Sequence, residues 1–168
     1  MPVFVCLAGL PGVGKSTIAA AFAGLTGALW LRVDLIEQAM RGSPAAPADL
    51  ADVGYRSLCG VAEGALMQGF DVIGDSVNPI QQTREMYRAM SDRAGARHFD
   101  VVVECSDETK HRDRVETRPS LVAGLALPTW DAVLARHWEP FDAADLKLDT
   151  AHLEPEEAAR AIAKMAEV

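Results

Sequence analysis

Basic charge is in short supply in this chain. Its 168 residues carry 16 Lys and Arg against 24 Asp and Glu, a net charge of −8. That deficit argues against a sequence-independent nucleic-acid binder, which needs positive surface for phosphates. It also argues against docking on anionic lipid. Cysteine is scarce as well: Cys6, Cys59 and Cys105 are odd in number and match no metal-binding spacing. Cys6 and Cys105 sit in apolar, strand-like runs and read as small core residues. A reduced, cytoplasmic compartment is therefore expected. The N-terminus lacks the basic region of a secretory leader, and no stretch reaches the length of a membrane span. There is no internal repeat, low-complexity tail or linker. His98, His111, His137 and His152 show no ligand spacing and no nucleophile partner.

What is present is apolar and punctuated. Hydrophobic residues make up 49% of the chain, enough for a sizeable core. Near the N-terminus stands Gly9-Leu10-Pro11-Gly12-Val13-Gly14-Lys15-Ser16, the G-x-x-x-x-G-K-S spacing of a phosphate-binding loop. Val3 to Ala8 before it reads as a buried strand, and Thr17 to Ala23 after it as a helix. Glycines let backbone N–H groups approach phosphate oxygens, and the helix N-terminus adds its positive dipole end. Lys15 would reach the β- and γ-phosphates, and the Ser16 hydroxyl would bind Mg²⁺. A nucleoside triphosphate is the expected ligand.

The rest of the chain alternates strand and helix. Ala28–Val33 predicts a second strand ending at Asp34, which would cap a short helix over 35–40. Gly42 to Pro47 breaks the chain, and a helix is expected over 49–68. Phe70–Asp75 predicts a third strand ending in an acid, with Pro79 opening the next helix at its first position. His98–Cys105 is a fourth strand, followed by a charged helix to about Arg118. Pro119 to Pro128 reads as a loop, Thr129 to Trp138 as a short helix. Leu146–Asp149 is a fifth strand, and Glu154-Pro155-Glu156-Glu157 starts the last helix with acids at its positive end. Such alternation predicts an α/β fold with a mostly parallel sheet. Ligands of these sheets bind beyond the strands' carboxyl ends, where the glycine loop, Asp34, Asp75, Cys105 and Asp149 all fall.

Phosphoryl transfer needs held phosphates, bound Mg²⁺, neutralised charge and an aimed nucleophile. Asp75 is the candidate second Mg²⁺ contact, ahead of Glu104. Asp34 is the candidate to accept or orient an acceptor hydroxyl. Arg114 and Arg118 are four apart and would share a helix face on a mobile segment that closes over the triphosphate. Arg112 and Arg136 are weaker candidates. Eight of the 16 basic residues lie between Arg84 and Arg118, but eight acids lie there too. Trp130 and Trp138 read as packing residues.

Taken together, the glycine loop, Arg32-Val33-Asp34, Val72-Ile73-Gly74-Asp75-Ser76-Val77-Asn78, the arginine run and Asp149-Thr150 resemble the small P-loop kinases. The likeness is to the AAA_33-type predicted kinases, related to polynucleotide kinase, gluconate and shikimate kinases and chloramphenicol phosphotransferase. Pro128-Thr129-Trp130-Asp131 and Glu139-Pro140 extend it. The resemblance implies a three-layer P-loop fold over 1–168, a five-stranded parallel sheet in the order 2-3-1-4-5, helices on both faces and a helical lid at about 107–128. It implies ATP with Mg²⁺ as phosphoryl donor, with the nucleotide on Gly9 to Thr17 and Arg114. Lys15, Asp34, Arg114 and Arg118 are the implied catalytic residues, and Ser16 and Asp75 the implied metal contacts. The missing basic surface favours a small-molecule acceptor over DNA or RNA, such as a metabolite, a nucleoside-like compound or an antibiotic. Met40, Tyr55, Leu58 and Met67 are compatible with a pocket for it or with core. Two rivals remain: a nucleotide kinase, for which residues 35–70 offer only Arg41 and Arg56, and a nucleotide-dependent switch, although no guanine-reading N-K-x-D motif is present.

Overall fold

The six apolar residues of Val3–Ala8 are all buried and form the central strand, β1. Residues 1–46, 48–120 and 122–168 are described by the computed structural model; Pro47 and Leu121, in the two expected loop segments, lie outside the described residues. The chain runs β1, α1 (Lys15–Thr26), β2 (Leu29–Arg32), α2 (Val33–Arg41), α3 (Val53–Met67), β3 (Val72–Asp75) and α4 (Gln81–Ala94). It continues with β4 (Arg97–Glu104), α5 (Glu108–Thr117), α6 (Trp130–Leu134), β5 (Leu146–Asp149) and α7 (Pro155–Ala166). All strand pairs are parallel, in the order β2-β3-β1-β4-β5, as expected.

Strand periodicity explains the layers. Along β1, Val3, Val5 and Leu7 join a core with Ile18 and Phe22 of α1 and Ile162 of α7. The alternate residues Phe4 and Cys6 join a second core with Leu58 of α3 and Tyr87 and Met90 of α4. A strand that turns apolar residues to both faces must be covered on both. Each fully buried Val, Leu, Ile or Phe contributes roughly 1.5–3 kcal/mol. The helices therefore lie on both sides of the sheet, and the loops at the carboxyl ends are held by rigid supports.

Several element ends differ from expectation. The second strand stops at Arg32, and Val33 already begins α2, so Asp34 lies in the first turn and Arg32 is the cap. The apolar side chain decides this: Val33 is buried in the core below α3, which anchors the helix one residue early. Gly54 permits the close approach of α2 and α3, because a Cβ there would lie 2.6 Å from Glu37 Cγ. Pro79 does not open α4. Its carbonyl accepts from Arg84 Nη2 at 3.0 Å and from the Glu139 N–H at 2.9 Å, and Ile80 is the cap. The helix after Thr129 ends at Leu134, and Trp138 instead lies 5.4 Å from the Arg84 guanidinium.

His98 does have a partner. Its Nδ1 lies 2.9 Å from Ser91 Oγ and its Nε2 3.0 Å from Asp100 Oδ1. Ser91 and Asp100 are both 0% exposed, and Ser91 donates to the Tyr87 carbonyl, so no substrate reaches the hydroxyl. Asp100 also pairs with the half-exposed Arg88, and the group is a polar network around a buried carboxylate that fastens α4 to β4.

Candidate active site

The site grows out of the turn between β1 and α1. Gly9 has φ +153°, and a Cβ there would lie 2.2 Å from the Val103 carbonyl oxygen of β4. Gly12 has φ +87°, and its Cβ would lie 2.4 Å from Val115 Cγ2 of α5. Only glycine fits either place, which leaves the loop as a concave backbone surface at the N-terminus of α1. Lys15 lies on the first turn of α1, 8% exposed. Its Nζ donates to the carbonyls of Gly9 at 2.8 Å and Leu10 at 3.0 Å. Burial pulls its pKa down to about 8; Asp75 and Asp34 oppose that shift, and Arg118 and Arg136 reinforce it. Lys15 thus lies within electrostatic reach of two candidate acids and two candidate arginines.

Asp75 ends β3 and is 6% exposed. Trp30 Nε1 donates to its Oδ2 at 3.3 Å, and Arg32 Nε lies 3.4 Å from the same oxygen. Arg32 Nη2 also lies 3.4 Å from Ser16 Oγ. Ser16 and Asp75 are hard oxygen donors of the kind that bind Mg²⁺, and the fold brings them to one spot. Glu104 ends β4 with its side chain exposed and does not line the cleft.

α5 is docked on the loop rather than standing free of it. His111 Nε2 donates to the Pro11 carbonyl at 2.9 Å, and its ring meets Trp130 edge-on at 5.0 Å. Val115, Trp130 and Val133 form a small core of their own, so Trp130 is a packing residue. Arg114 lines the cleft, but its guanidinium is held: Nη1 donates to Thr150 Oγ1 at 2.8 Å and Nη2 to the Thr150 carbonyl at 3.0 Å. Thr150 Oγ1 in turn donates to the Val13 carbonyl at 2.7 Å. Arg118 follows the helix end, half-buried. Burial lowers its pKa; Asp34 opposes that shift and Arg32 adds to it. Its Nε is buried without a hydrogen-bond partner among the described residues. Arg112 is exposed, paired with Glu116 at 2.9 Å, and does not line the cleft. Arg136 does line it.

The cleft has a volume of about 1300 Å³. One side is the glycine loop, with Thr150, Leu153 and Pro155 behind it. The other side is Asp34, Glu37 and Arg41 of α2, Tyr55 of α3, and the turn from Ser76 to Ile80. Tyr55 accepts from the Asn78 N–H at 3.0 Å, and burial pushes its phenol up to about 12. Met40, Leu58 and Met67 do not line the cleft: Leu58 is core, and Met67 is 71% exposed. Residues 122–128 cross toward α2, where a Cβ on Gly124 would lie 2.9 Å from Gln38 Nε2. Among the described residues, no three His, Cys, Asp or Glu side chains form a self-contained metal cage.

The structure therefore gathers Pro11, Gly12, Gly14 to Thr17, Asp34, Asp75, Arg114 and Arg118 around one cleft, whereas Gly9, Leu10 and Val13 of the same loop do not line it. The sequence reading assigned no role to Arg32, Trp30, His111 or Thr150. Arg32 and Thr150 carried a signal, since each ends or follows a strand on the ligand rim. His111 carried only its spacing of four from Val115.

A sequence profile of AAA domains, AAA_33, matches residues 4–140. The chain belongs to the AAA_33 family. Solved structures show how widely this fold is shared. An APS kinase of Mycobacterium tuberculosis, in complex with AMPPNP and APS, superposes with a TM-score of 0.71 at 18% identity, over 99% of this chain and 98% of that one. A sugar kinase of a Janibacter species gives 0.72 at 19% identity, over 100% and 96%. A gluconokinase of Sinorhizobium meliloti gives 0.65 at 19% identity, over 99% and 94%. No curated protein sequence matches the chain. At such identities the likeness is one of fold.

Proposed function

We propose that this AAA_33 protein is an ATP-dependent kinase that transfers the γ-phosphoryl group to a hydroxyl of a small molecule. One observation carries the reading: Asp34 shares a cleft with Lys15 and Arg118 and acts on the charge of both. A carboxylate that shares a cleft with two phosphate-seeking cations suits an acceptor hydroxyl. Asp34 orients that hydroxyl and takes its proton as the new O–P bond forms and the bond to the β-phosphate oxygen breaks. Lys15 and Arg118 neutralise the oxygens of the group in flight. Arg114, tethered by Thr150, fixes α5 against the loop and borders the nucleotide. Ser16 and Asp75 would hold Mg²⁺, which when bound shields phosphate charge.

Further points support it. The whole of 1–168 is read as one kinase unit, with about 107–128 as a lid, because residues 122–128 reach over the cleft to α2. The cleft's volume of about 1300 Å³ exceeds the ~300–1,000 Å³ usual for one ligand, so it has room for donor and acceptor together. The similar folds named above belong to kinases of small molecules: a sugar, gluconate and APS. The net charge of −8 disfavours a nucleic-acid acceptor. Among the described residues, no helix is long and apolar enough to cross a membrane.

The test is a screen of hydroxyl compounds with γ-labelled ATP. Transfer of label to one acceptor class is expected. Asp34→Asn should lower that transfer by roughly 10²–10⁴-fold and leave ATP affinity nearly unchanged. Full activity in Asp34→Asn, or no acceptor across sugars, sugar acids, nucleosides and aminoglycosides, would sink the assignment.

A further inference from the structure

Arg32 stands where a metal ion is expected. Its guanidinium bridges Ser16 Oγ and Asp75 Oδ2, each at 3.4 Å. These two groups are the proposed Mg²⁺ contacts. Both distances are long for charged hydrogen bonds, which run at about 2.7–2.9 Å. The side chain is only 10% exposed, and its Nε finds no hydrogen-bond partner among the described residues. A buried guanidinium with an unsatisfied N–H is costly to keep. Arg32 is therefore desolvated without full compensation, and it stays because Asp75 is a buried acid that needs a cation. The Trp30 indole completes the arrangement, with the guanidinium 5.1 Å from its ring centroid and Nε1–H donating to Asp75.

We propose that Arg32 is an internal stand-in for the divalent cation. It neutralises Asp75 while the metal is away, and the metal must displace it to reach Ser16 and Asp75. Mg²⁺ is then not simply added to a waiting site. It competes with a tethered positive charge, and the price of displacement sets how tightly metal-bound nucleotide is held relative to metal-free nucleotide. Asp75 exchanges one cation for another, so the buried carboxylate is never left bare. The inference rests on the nucleotide and Mg²⁺ part of the reading above. It does not depend on the acceptor.

The test measures binding of a non-hydrolysable ATP analogue by calorimetry, with Mg²⁺ and with EDTA. The quantity of interest is the ratio of the two affinities. Arg32→Gln should raise the preference for the Mg²⁺ form by about tenfold, because one charged contact no longer has to be broken. Metal-free affinity should stay the same or fall, since a cation near the phosphates is gone. An unchanged or lower ratio in a folded Arg32→Gln protein overturns the proposal. A second readout needs no change at Arg32. Mg²⁺ titrated into the wild-type nucleotide complex should change tryptophan emission, and Trp30→Phe should abolish that change. A Mg²⁺-bound complex with no Trp30-dependent change also overturns it. Neither readout involves phosphoryl transfer, so a protein that binds Mg²⁺ and nucleotide here yet phosphorylates nothing could still pass.

Discussion

Replacing Gly12 by Ala tests whether α5 and the glycine loop are one packed body. Two effects act at this position. The φ of +87° places an L-residue in left-handed space, which costs roughly 1–2 kcal/mol. The added methyl would also lie 2.4 Å from Val115 Cγ2, on the buried face of α5, and overpacking of this kind costs roughly 1–3 kcal/mol. Together they predict about 3 kcal/mol of lost stability, or roughly 6–12 °C in melting temperature for a chain of this size. Val115→Ala alone should cost about 2 kcal/mol through the cavity it leaves beside Trp130 and Val133. Combined, the two changes should cost at least about 1 kcal/mol less than their sum, because the cavity accepts the methyl while the backbone strain remains. Thermal and urea unfolding of the four proteins measures the coupling. Additive losses would refute the contact, and with it the claim that α5 is seated on the loop.

The depressed Lys15 pKa predicts proton uptake. In the nucleotide-free protein Lys15 loses its charge as pH rises through about 8. A bound triphosphate favours the charged form, so its affinity should fall by up to tenfold per unit as pH rises above 8. Calorimetry at pH 8.5 in two buffers of different ionisation enthalpy should show about three-quarters of a proton taken up, and none would contradict the burial argument. Asp100→Asn should lower stability by about 2–3 kcal/mol, because it leaves His98 and Arg88 without the buried carboxylate they share; the exposed side of Arg88 keeps the figure below that of a fully buried pair. Urea unfolding reads this loss, and an unchanged midpoint would make the network incidental. Thr150→Val should release Arg114 from its support and raise the mobility of α5, seen as faster amide exchange over 108–117 with the sheet unaffected.

The order of strands and helices was legible because β1 is a continuous apolar run, β4 carries Val101-Val102-Val103 and the glycine motif has a fixed strand–helix context. The rim was legible too, since Asp75 and Asp149 end strands in the sequence and in the fold. Element ends were not. Asp34 looks like a cap by residue type, but the burial of Val33 moved the helix start to its N-terminal side. Arg32 showed its place at the rim but not its partners, because Ser16 and Asp75 meet it only through the fold, 16 and 43 residues away in sequence. His98 looked solitary for the same reason: Ser91 lies on the preceding helix, and only the fold of α4 onto β4 brings the two together. Spacing along a chain reports neighbours on one element. Contacts between elements depend on register and on which face each buries.

The two walls of the cleft are built to different tolerances. The glycine loop is wedged between Val103 and Val115, and a single methyl group at Gly9 or Gly12 has nowhere to go. The opposite wall is Asp34, Glu37 and Arg41 on the outer face of α2, with Ala51 and Asp52 beyond, and most of these side chains reach solvent. Changes there would leave both cores intact. If the chain is the kinase proposed above, a lineage carrying this architecture can exchange one phosphoryl acceptor for another through surface substitutions alone, while its choice of donor stays frozen by the backbone.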